Sequence, residues 1–449
     1  MTCTHRFLDK GLRVTKAFIA PLWINGVRVP RIDILRLARD IRGSLKGLHQ
    51  DTVVVMPKNP LVSVIARKVA LECGLPYALD YGSIQRSPDV RHVYLDEHGN
   101  VGLSRGWSYP LQDDCARLVS TSGSTGNPET VVHSSHAIAF QARVLAERLG
   151  VGAESNMLLP IPVSHAYGAS VVELWLNHNV PLIIECGDVI AGTLRSLLER
   201  RISTIDVVPS MLQILVKLSR RNTDLRAALS RLDLLNVGGD VLPLGLANEV
   251  ERECGQKVFD GYGLSEAGPN VAISGPGVYK KGTVGLPLRG VEVRVDARDE
   301  VYVRSPSLLS GYLRGTNVVK QVNKDGWLRT GDLGSIDSEG YLSIRGRSKS
   351  AIIVNGKTIA PFEVEEAARA SGVCEDVAVI CTRGQSQLSD RIHVFFIPGR
   401  VHTPQRQVEI LKDVVRTFGA GPVVLHRILS FPRLPSGKID KKALKESVS

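Results

Sequence analysis

Aromatic residues are scarce in this chain, since Phe, Trp and Tyr together account for 5% of its 449 residues. A surface that stacks the bases of single-stranded nucleic acid is built from such side chains, so their scarcity disfavours that class of protein. The seven cysteines contain no C-x-x-C pair and no regular spacing, which favours reduced thiols over a disulfide framework. No stretch approaches about 18 consecutive apolar residues, so no membrane span is expected.

The charge pattern argues against a secretory signal and does not by itself identify a binding partner. Arg6, Asp9, Lys10 and Arg13 precede any apolar run, so the N-terminus makes a poor secretory signal and the expected location is the cytoplasm. Lys and Arg number 56 against 45 Asp and Glu, a net charge of +11 that would attract polyphosphates or acidic partners. The basic residues are spread along the chain, so solvated helix faces are the favoured interpretation and nucleic-acid binding ranks last.

Length and periodicity predict an α/β chain of two or three domains. Short β-branched runs alternate with helical patterns up to about Gly282, which indicates layered α/β subdomains with parallel strands. Runs such as Val291–Val295 then alternate apolar and polar residues, as in a small antiparallel sheet or distorted β-barrel. We therefore predict a large N-terminal domain over residues 1–346 and a small, mobile α+β domain over residues 347–449. The polar segment Gly346–Ser350 is the candidate linker.

The most informative segment is a loop of glycines and hydroxyl residues, Ser120–Pro128, that follows the strand-like run Ala116–Val119. Glycines allow a tight backbone that presents several N–H groups to one anion, and the five hydroxyl side chains add further donors. No Gly-Lys-Ser/Thr follows, so the loop is not a Walker A motif, and it does not match G-x-G-x-x-G. A plain Ser/Gly surface turn is the structural alternative.

This loop resembles the phosphate loop of the adenylate-forming superfamily, which includes acyl- and aryl-CoA synthetases, peptide-synthetase adenylation domains and luciferases. The family pattern is T-S-G-[ST]-T-G-x-P-K-G, and the match covers Thr121–Pro128. Glu129 stands where the family usually has lysine, and Thr130 where it usually has glycine. The resemblance implies that ATP phosphates are held by the loop residues Thr121, Ser122, Gly123, Ser124, Thr125 and Gly126.

Three further segments resemble family motifs in the family's order. Pro162–Gly168 is similar to P-x-x-H-x-x-G, which implies that His165 lines the passage between acyl pocket and acceptor tunnel. No acidic residue lies between Pro160 and Ala169, where amino-acid-activating members usually place one, so an α-amino acid substrate is not expected. The second segment, Asn236–Asp240, implies adenine contacts at Gly238, Gly239 and Asp240. The third, Asp260–Glu266, implies adenine contacts at Tyr262 and Gly263, a phosphate contact at Ser265 and a Mg²⁺ ligand at Glu266.

The C-terminal third carries three more resemblances. In Arg329–Leu333 the T-G-D motif implies that Asp332 accepts hydrogen bonds from the ribose hydroxyls. The G-R-x-[DK] motif implies that Arg347 contacts ribose or phosphate and that Lys349 is the hinge for rotation of the C-terminal domain. In Pro432–Asp440 the P-x-x-P-x-G-K motif implies that Lys438 is the catalytic lysine, which neutralises charge in the transition state. Each of these residues taken alone could have a purely structural role. The occurrence of all the motifs in the family's order favours a functional role instead.

The resemblance implies an AMP-forming acid–thiol ligase. With ATP and Mg²⁺ it would convert an aryl or acyl carboxylic acid to acyl-AMP, assisted by Lys438, Glu266 and His165. The acyl group would then pass to CoA or to the phosphopantetheine of an acyl or aryl carrier protein. The alternatives are a ligase restricted to a carrier or an amine acceptor, and a non-catalytic nucleotide-binding homologue. The non-catalytic alternative is considered because Glu129 and Ile353 each stand where the family usually has lysine. Five small or medium-sized residues are expected to line the acyl pocket: Val163, Val207, Ser210, Gly238 and Gly263.

Overall fold

A computed structural model describes most of the chain. The described residues are 20–80, 82, 90–102, 115–121, 129–315, 317–354, 357–382, 391–399, 401–419, 423–433 and 439–448, without the side chains of 352–358. The helices in chain order are α1 (Arg31–Leu45), α2 (Pro60–Glu72), α3 (Ser135–Leu149), α4 (Ala166–His178), α5 (Val189–Glu199), α6 (Pro209–Ser219), α7 (Thr223–Ser230), α8 (Leu244–Cys254), α9 (Pro361–Ala370), α10 (Pro404–Thr417) and α11 (Lys441–Glu446).

The strands form five sheets and are given in chain order. They are β1 (Leu22–Ile24), β2 (Val27–Val29), β3 (Val53–Val55), β4 (Tyr77–Ala78), β5 (His92–Tyr94), β6 (Arg117–Ser120), β7 (Thr130–His133), β8 (Met157–Leu159), β9 (Leu182–Ile184), β10 (Thr204–Val207), β11 (Leu234–Gly238), β12 (Phe259–Gly263), β13 (Asn270–Ile273), β14 (Leu286–Pro287), β15 (Glu292–Val295), β16 (Glu300–Arg304), β17 (Gly311–Arg314), β18 (Asn317–Val319), β19 (Leu328–Ile336), β20 (Leu342–Arg347), β21 (Ile352–Val354), β22 (Lys357–Ile359), β23 (Cys374–Thr382), β24 (Arg391–Pro398) and β25 (Val423–Arg427).

Two large sheets with helices packed on them confirm the predicted layered α/β core. One has the strand order β14-β13-β12-β11-β10-β8-β9-β1-β2, and the other has the order β18-β17-β7-β6-β4-β3-β5. Their central strands are parallel and consist of fully buried, mostly apolar residues, as expected for strands covered on both faces. At both edges of the nine-stranded sheet the pairing is antiparallel, between β1 and β2 and among β12, β13 and β14.

The alternating runs after Gly282 form a third, four-stranded antiparallel sheet with the order β15-β16-β19-β20. β19 contains Asp332 and pairs with β20, so that Asp332 lies opposite Arg347 in the register. The pairing therefore brings the T-G-D and G-R motifs side by side, although 15 positions separate them. β17 and β18 leave this region and join the seven-stranded sheet through β7.

The C-terminal segment forms an α+β unit around its own core. β23, β24 and β25 make a three-stranded sheet. Buried residues of this sheet, such as Val377 and Val394, pack with α9 and α10. The opposite face of the sheet buries Ala378 and Phe395 together with Leu444 of α11. A single 3₁₀ turn, Ser348–Ser350, connects β20 to this unit. Within the described part of the chain, none of the helices is long and apolar enough to cross a bilayer.

Candidate active site

A cavity of about 2390 Å³ lies where the carboxyl ends of β10, β11 and β12 face the four-stranded sheet and the C-terminal unit. This edge of a parallel sheet is the usual position of ligand sites in open α/β folds. The cavity brings together the predicted catalytic, nucleotide-binding, metal and hinge residues that the structure describes: Thr121, His165, Gly238, Gly239, Asp240, Tyr262, Gly263, Ser265, Glu266, Asp332, Arg347 and Lys349. Ser122, Gly123, Ser124, Thr125, Gly126 and Lys438 lie outside the described residues.

The base of the predicted phosphate loop is a closed hairpin between β6 and β7. Its last strand pair is Ser120–Thr130. The Thr121 amide then donates to the Glu129 carbonyl at 2.8 Å, and the Glu129 amide donates to the Thr121 hydroxyl at 3.0 Å. The Glu129 carboxylate, which replaces the family lysine, accepts a hydrogen bond from the Arg314 guanidinium at 2.6 Å. The loop therefore starts from a fixed base, and its unusual carboxylate is paired with a cation.

Two glycine positions shape the cavity walls where a side chain would not fit. A Cβ on Gly168 would clash with the Pro162 carbonyl oxygen, so this residue lets α4 begin directly against the segment that presents His165. His165 itself is exposed and lines the cavity. A Cβ on Gly238 would lie 3.2 Å from the Tyr167 ring. The Tyr167 ring therefore packs closely against Gly238, and the Gly238–Gly239 backbone, where the sequence predicts adenine, lines the cavity.

Asp332 links three of the predicted residues through short contacts. It is 4% exposed and accepts a hydrogen bond from the Tyr262 hydroxyl at 2.6 Å. Its other oxygen lies 2.7 Å from Arg347 Nε. Burial raises the pKa of Asp332 above its ordinary value, and the Arg347 guanidinium and the Tyr262 hydroxyl oppose that rise. Burial and the neighbouring Asp332 carboxylate raise the pKa of Tyr262. The sequence predicted these three residues as site residues but did not predict that Tyr262 and Arg347 contact Asp332.

Glu266 stands in a 3₁₀ turn, Ser265–Ala267, immediately after β12. Its Oε1 accepts a hydrogen bond from the Tyr312 hydroxyl at 2.8 Å, and burial followed by the Glu266 charge raises the pKa of Tyr312. The Glu266 charge also contributes to the raised pKa of Asp332, and both residues line the cavity. Among the described residues no cluster of three or more His, Cys, Asp or Glu could hold a metal alone. Glu266 offers the hard oxygen that Mg²⁺ prefers, and substrate phosphates and waters would supply the remaining ligands.

The C-terminal unit contributes directly to the cavity wall. Val379–Thr382 of β23 and the segment Ile439–Lys442 line it. Lys441 Nζ lies 2.6 Å from Glu365 Oε1, and the Leu244 amide donates to Glu366 Oε2 at 2.8 Å. Lys438 directly precedes Ile439 in the sequence. Lys349 is exposed in the connecting 3₁₀ turn and also lines the cavity.

The expected acyl-pocket residues are only partly correct. Ser210, Gly238 and Gly263 line the cavity, whereas Val163 and Val207 do not. Val207 alternates to the opposite face of β10 and packs with Met211 and Leu212 in the core. Val163 is buried in the core under the cavity wall.

Three residues that the sequence reasoning did not single out also line the cavity: Tyr167, Asp206 and Asn236. Asp206 and Asn236 could have been noticed in the sequence, because each is a polar residue inside an otherwise apolar strand run. These runs are Ile205–Val208 and Leu234–Val237.

Comparisons with known proteins show which sequences and folds the chain is similar to. A family model described as AMP-binding enzyme matches residues 84–313. The 2-succinylbenzoate–CoA ligase of Bacillus velezensis is 29% identical over 300 residues, which cover 64% of this chain and 59% of that protein. The corresponding ligase of Listeria innocua is 29% identical over 344 residues, 74% of this chain and 70% of that protein.

A solved structure extends the likeness to nearly the whole chain. It is o-succinylbenzoate CoA synthetase from Bacillus subtilis in complex with the acyl-adenylate intermediate OSB-AMP. The TM-score is 0.77 at 20% identity, and the match covers 96% of each chain. At this identity the likeness shows that the two chains share a fold.

Proposed function

Because the chain belongs to the AMP-binding enzyme family, we propose that it is an ATP-dependent, AMP-forming ligase that activates a carboxylic acid and transfers the acyl group to a thiol. The observation that carries this proposal is the convergence of Tyr262, Glu266, Asp332 and Arg347 with the Gly238–Gly239 backbone on one cavity. These residues come from four separate sequence segments and supply the groups that a nucleotide, its ribose and its phosphates require.

In the first half-reaction a carboxylate oxygen of the acid bonds to the ATP α-phosphorus. The bond from that phosphorus to the bridging oxygen breaks, and pyrophosphate leaves. Such chemistry depends mainly on positioning and on neutralisation of charge. In the proposed arrangement Ser122–Gly126 hold the outer phosphates, Gly238 and Tyr262 flank adenine, and Asp332 with Arg347 orients the ribose. Lys438 would bridge the attacking carboxylate and the α-phosphate.

Glu266 is the proposed ligand of the Mg²⁺ that accompanies ATP. The ion supplies neutralisation of phosphate charge when it is bound. Tyr312 fixes one oxygen of this carboxylate through the 2.8 Å hydrogen bond, which orients the side chain towards the cavity. Within the same proposal Glu129 stays away from the phosphates, because its carboxylate is paired with Arg314.

In the second half-reaction the thiol sulfur attacks the acyl carbon, the acyl–oxygen bond breaks, AMP leaves and the thiol proton passes to solvent. Residues 1–346 would act as the adenylation core and residues 347–449 as a lid that turns about Lys349. Rotation would withdraw Lys438 and open a passage past His165 to the thiol. CoA is the proposed acceptor, and a carrier-bound phosphopantetheine presents the same thiol. Product formation with CoA, with a phosphopantetheinylated carrier and with an amine separates these acceptors.

The direct experiment is a pyrophosphate-release assay on the full chain with ATP, Mg²⁺ and a panel of aryl and medium-chain acids. Acid-dependent release with equimolar AMP supports the proposal. Tight ATP binding without acid-dependent release across the panel contradicts it and identifies a non-catalytic nucleotide-binding homologue.

A further inference from the structure

A buried polar cluster lies at the cavity edge of the nine-stranded sheet, beside the Gly238–Gly239 backbone. Asp206 on β10 and Asn236 on β11 are partners in the strand register and are 3% and 4% exposed. The Tyr167 hydroxyl of α4 donates to Asp206 Oδ1 at 3.0 Å, and Asn236 Nδ2 donates to the same oxygen at 3.4 Å. These contacts fix the Asp206 carboxylate from two sides.

The cluster contains two oxygens that the protein does not use. Asp206 Oδ2 and Asn236 Oδ1 are buried without a hydrogen-bond partner. Leaving a buried acceptor unsatisfied costs about 1–3 kcal/mol, and more for a charged group. In the described residues no Lys or Arg forms an ion pair with Asp206 or with the neighbouring Asp260. Burial raises the pKa of Asp206 to about 7, consistent with a carboxylate that lacks a cation.

The cluster's position fits the far end of an acid substrate. Asp206, Asn236 and Tyr167 all line the cavity together with Ser210 and Gly238. β10 lies two strands from β12, which carries Tyr262, and this corresponds to about 10 Å across the sheet. An aromatic ring or short chain bound against Gly238 would span from the nucleotide side of the cavity towards Asp206.

We propose that Asp206 and Asn236 select a carboxylic acid whose far end carries an N–H or O–H donor, such as an amino or hydroxyl group. This inference rests on the proposed acid-activating function. When Asp206 is ionised, both unused oxygens can only accept hydrogen bonds, so the ligand must donate. A methyl group at this position leaves both acceptors unsatisfied, and a second carboxylate is repelled by Asp206. A site built to hydrogen-bond a substrate group discriminates strongly against analogues that lack it.

The test compares matched acids on the full chain: benzoates with amino, hydroxyl, methyl, methoxy or carboxylate at position 3 or 4, and an alkanoate pair ending in hydroxyl or methyl. Binding is measured by calorimetry with a non-hydrolysable ATP analogue, and turnover by pyrophosphate release. Amino or hydroxyl acids should bind at least about tenfold more tightly than methyl isosteres, as one hydrogen bond to a charged group provides.

Two variants test whether the preference for donor-bearing acids comes from this cluster. Asp206→Asn replaces one acceptor by a donor, so the preference for amino or hydroxyl over methyl should collapse and methoxy acids should gain. Asp224→Asn makes the same change on exposed helix α7 and should leave the ratios unaltered.

Equal binding of donor and methyl acids, no binding of any acid, or an unchanged ratio in Asp206→Asn overturns the inference. Donor-dependent binding without acid-dependent pyrophosphate release supports the pocket assignment and contradicts only the proposed ligase activity.

Discussion

Asp332 joins Tyr262 and Arg347 through contacts of 2.6 and 2.7 Å and is almost completely buried. The two partners hold its carboxylate in one orientation at the cavity wall. Ribose hydroxyls that donate to this carboxylate would therefore meet an acceptor already in place. At the scale of single residues, this preorganisation is what the proposed nucleotide site depends on most.

Replacement of Asp332 by Asn should raise the KM for ATP by roughly 10–100-fold, because hydrogen bonds to a charged group contribute about 1.5–3 kcal/mol. Steady-state kinetics with ATP as the varied substrate measure this. Asp337→Asn is the matched control: its carboxylate binds Lys280 in a partly exposed ion pair, and Asp337 itself does not line the cavity. A KM in Asp332→Asn within twofold of the unaltered protein would contradict a ribose role.

Asp206 should make stability depend on pH. The unfolded carboxyl loses its proton near pH 3.8 and the folded one near pH 7, so the folded state binds more protons between these values. Stability therefore falls as pH rises across this window, and the full cost is present above about pH 7. Asp206→Asn should gain about 2–3 kcal/mol more at pH 8 than at pH 5, as measured by denaturant unfolding. An equal effect at both pH values, as expected for Asp224→Asn, would contradict an unpaired buried carboxylate.

Some of the site residues could be predicted from the sequence, whereas others could not. Glu266, Asp332 and Arg347 could be found because their chemistry stands inside short ordered motifs. The Tyr262–Asp332 contact joins residues 70 positions apart and depends on how two sheets meet. Asp206 was missed because an acidic residue inside an apolar run gives no indication of which face of the strand it occupies, and its neighbour Val207 was assigned to the wrong face for the same reason.

At the scale of elements, the parallel core strands and most helices were predictable from β-branched runs and helical periodicity. Helix α5 begins at Val189, because the Asp188 side chain accepts a hydrogen bond from the Ala191 amide and caps it. The antiparallel edge strands could not be foreseen in detail, since strand direction there depends on turns rather than on apolar pattern. The pairing of β17 with β7 likewise joins segments about 180 positions apart.

Gly168→Ala should disturb the start of α4, because the new Cβ would clash with the Pro162 carbonyl oxygen. We expect a loss of about 1–3 kcal/mol in the free energy of unfolding, as for other overpacked sites, and reduced thiol transfer through displacement of His165. Gly245→Ala in α8 is the control, since its Cβ meets open space and Ala favours helix. Equal stability and equal thiol transfer in the two variants would contradict this account of the Pro162–Gly168 segment.

At the scale of the whole molecule, the C-terminal unit lies over the cavity with Ile439–Lys442 in its wall and a hydrogen bond from the Leu244 amide to Glu366. Only the short turn Ser348–Ser350 leads into it from β20. This arrangement fits the proposed adenylate-forming half-reaction, in which the segment containing Lys438 would be close to ATP. The proposed rotation would provide a second arrangement for thiol transfer.

Lys349→Pro should separate the two half-reactions. Proline fixes φ near the value of a 3₁₀ turn, so it is compatible with the observed turn and restricts rotation away from it. Acid-dependent pyrophosphate release should persist within a few-fold, whereas thiol transfer from supplied acyl-AMP should fall by more than about tenfold. Lys349→Ala, which keeps the turn free, should retain both activities. Unimpaired thiol transfer in Lys349→Pro would contradict the hinge.

The central claim is that residues distant in sequence assemble around one ATP and one carboxylic acid, with Lys438 completing the site for adenylation. The most direct measurement is acid-dependent exchange of labelled pyrophosphate into ATP by Lys438→Ala, beside Lys412→Ala on exposed helix α10 as the control. Our account predicts that Lys438→Ala loses exchange by at least about 100-fold, as removal of a transition-state charge does, yet keeps thiolysis of supplied acyl-AMP. Exchange that survives in Lys438→Ala, or equal loss of both half-reactions, would contradict it.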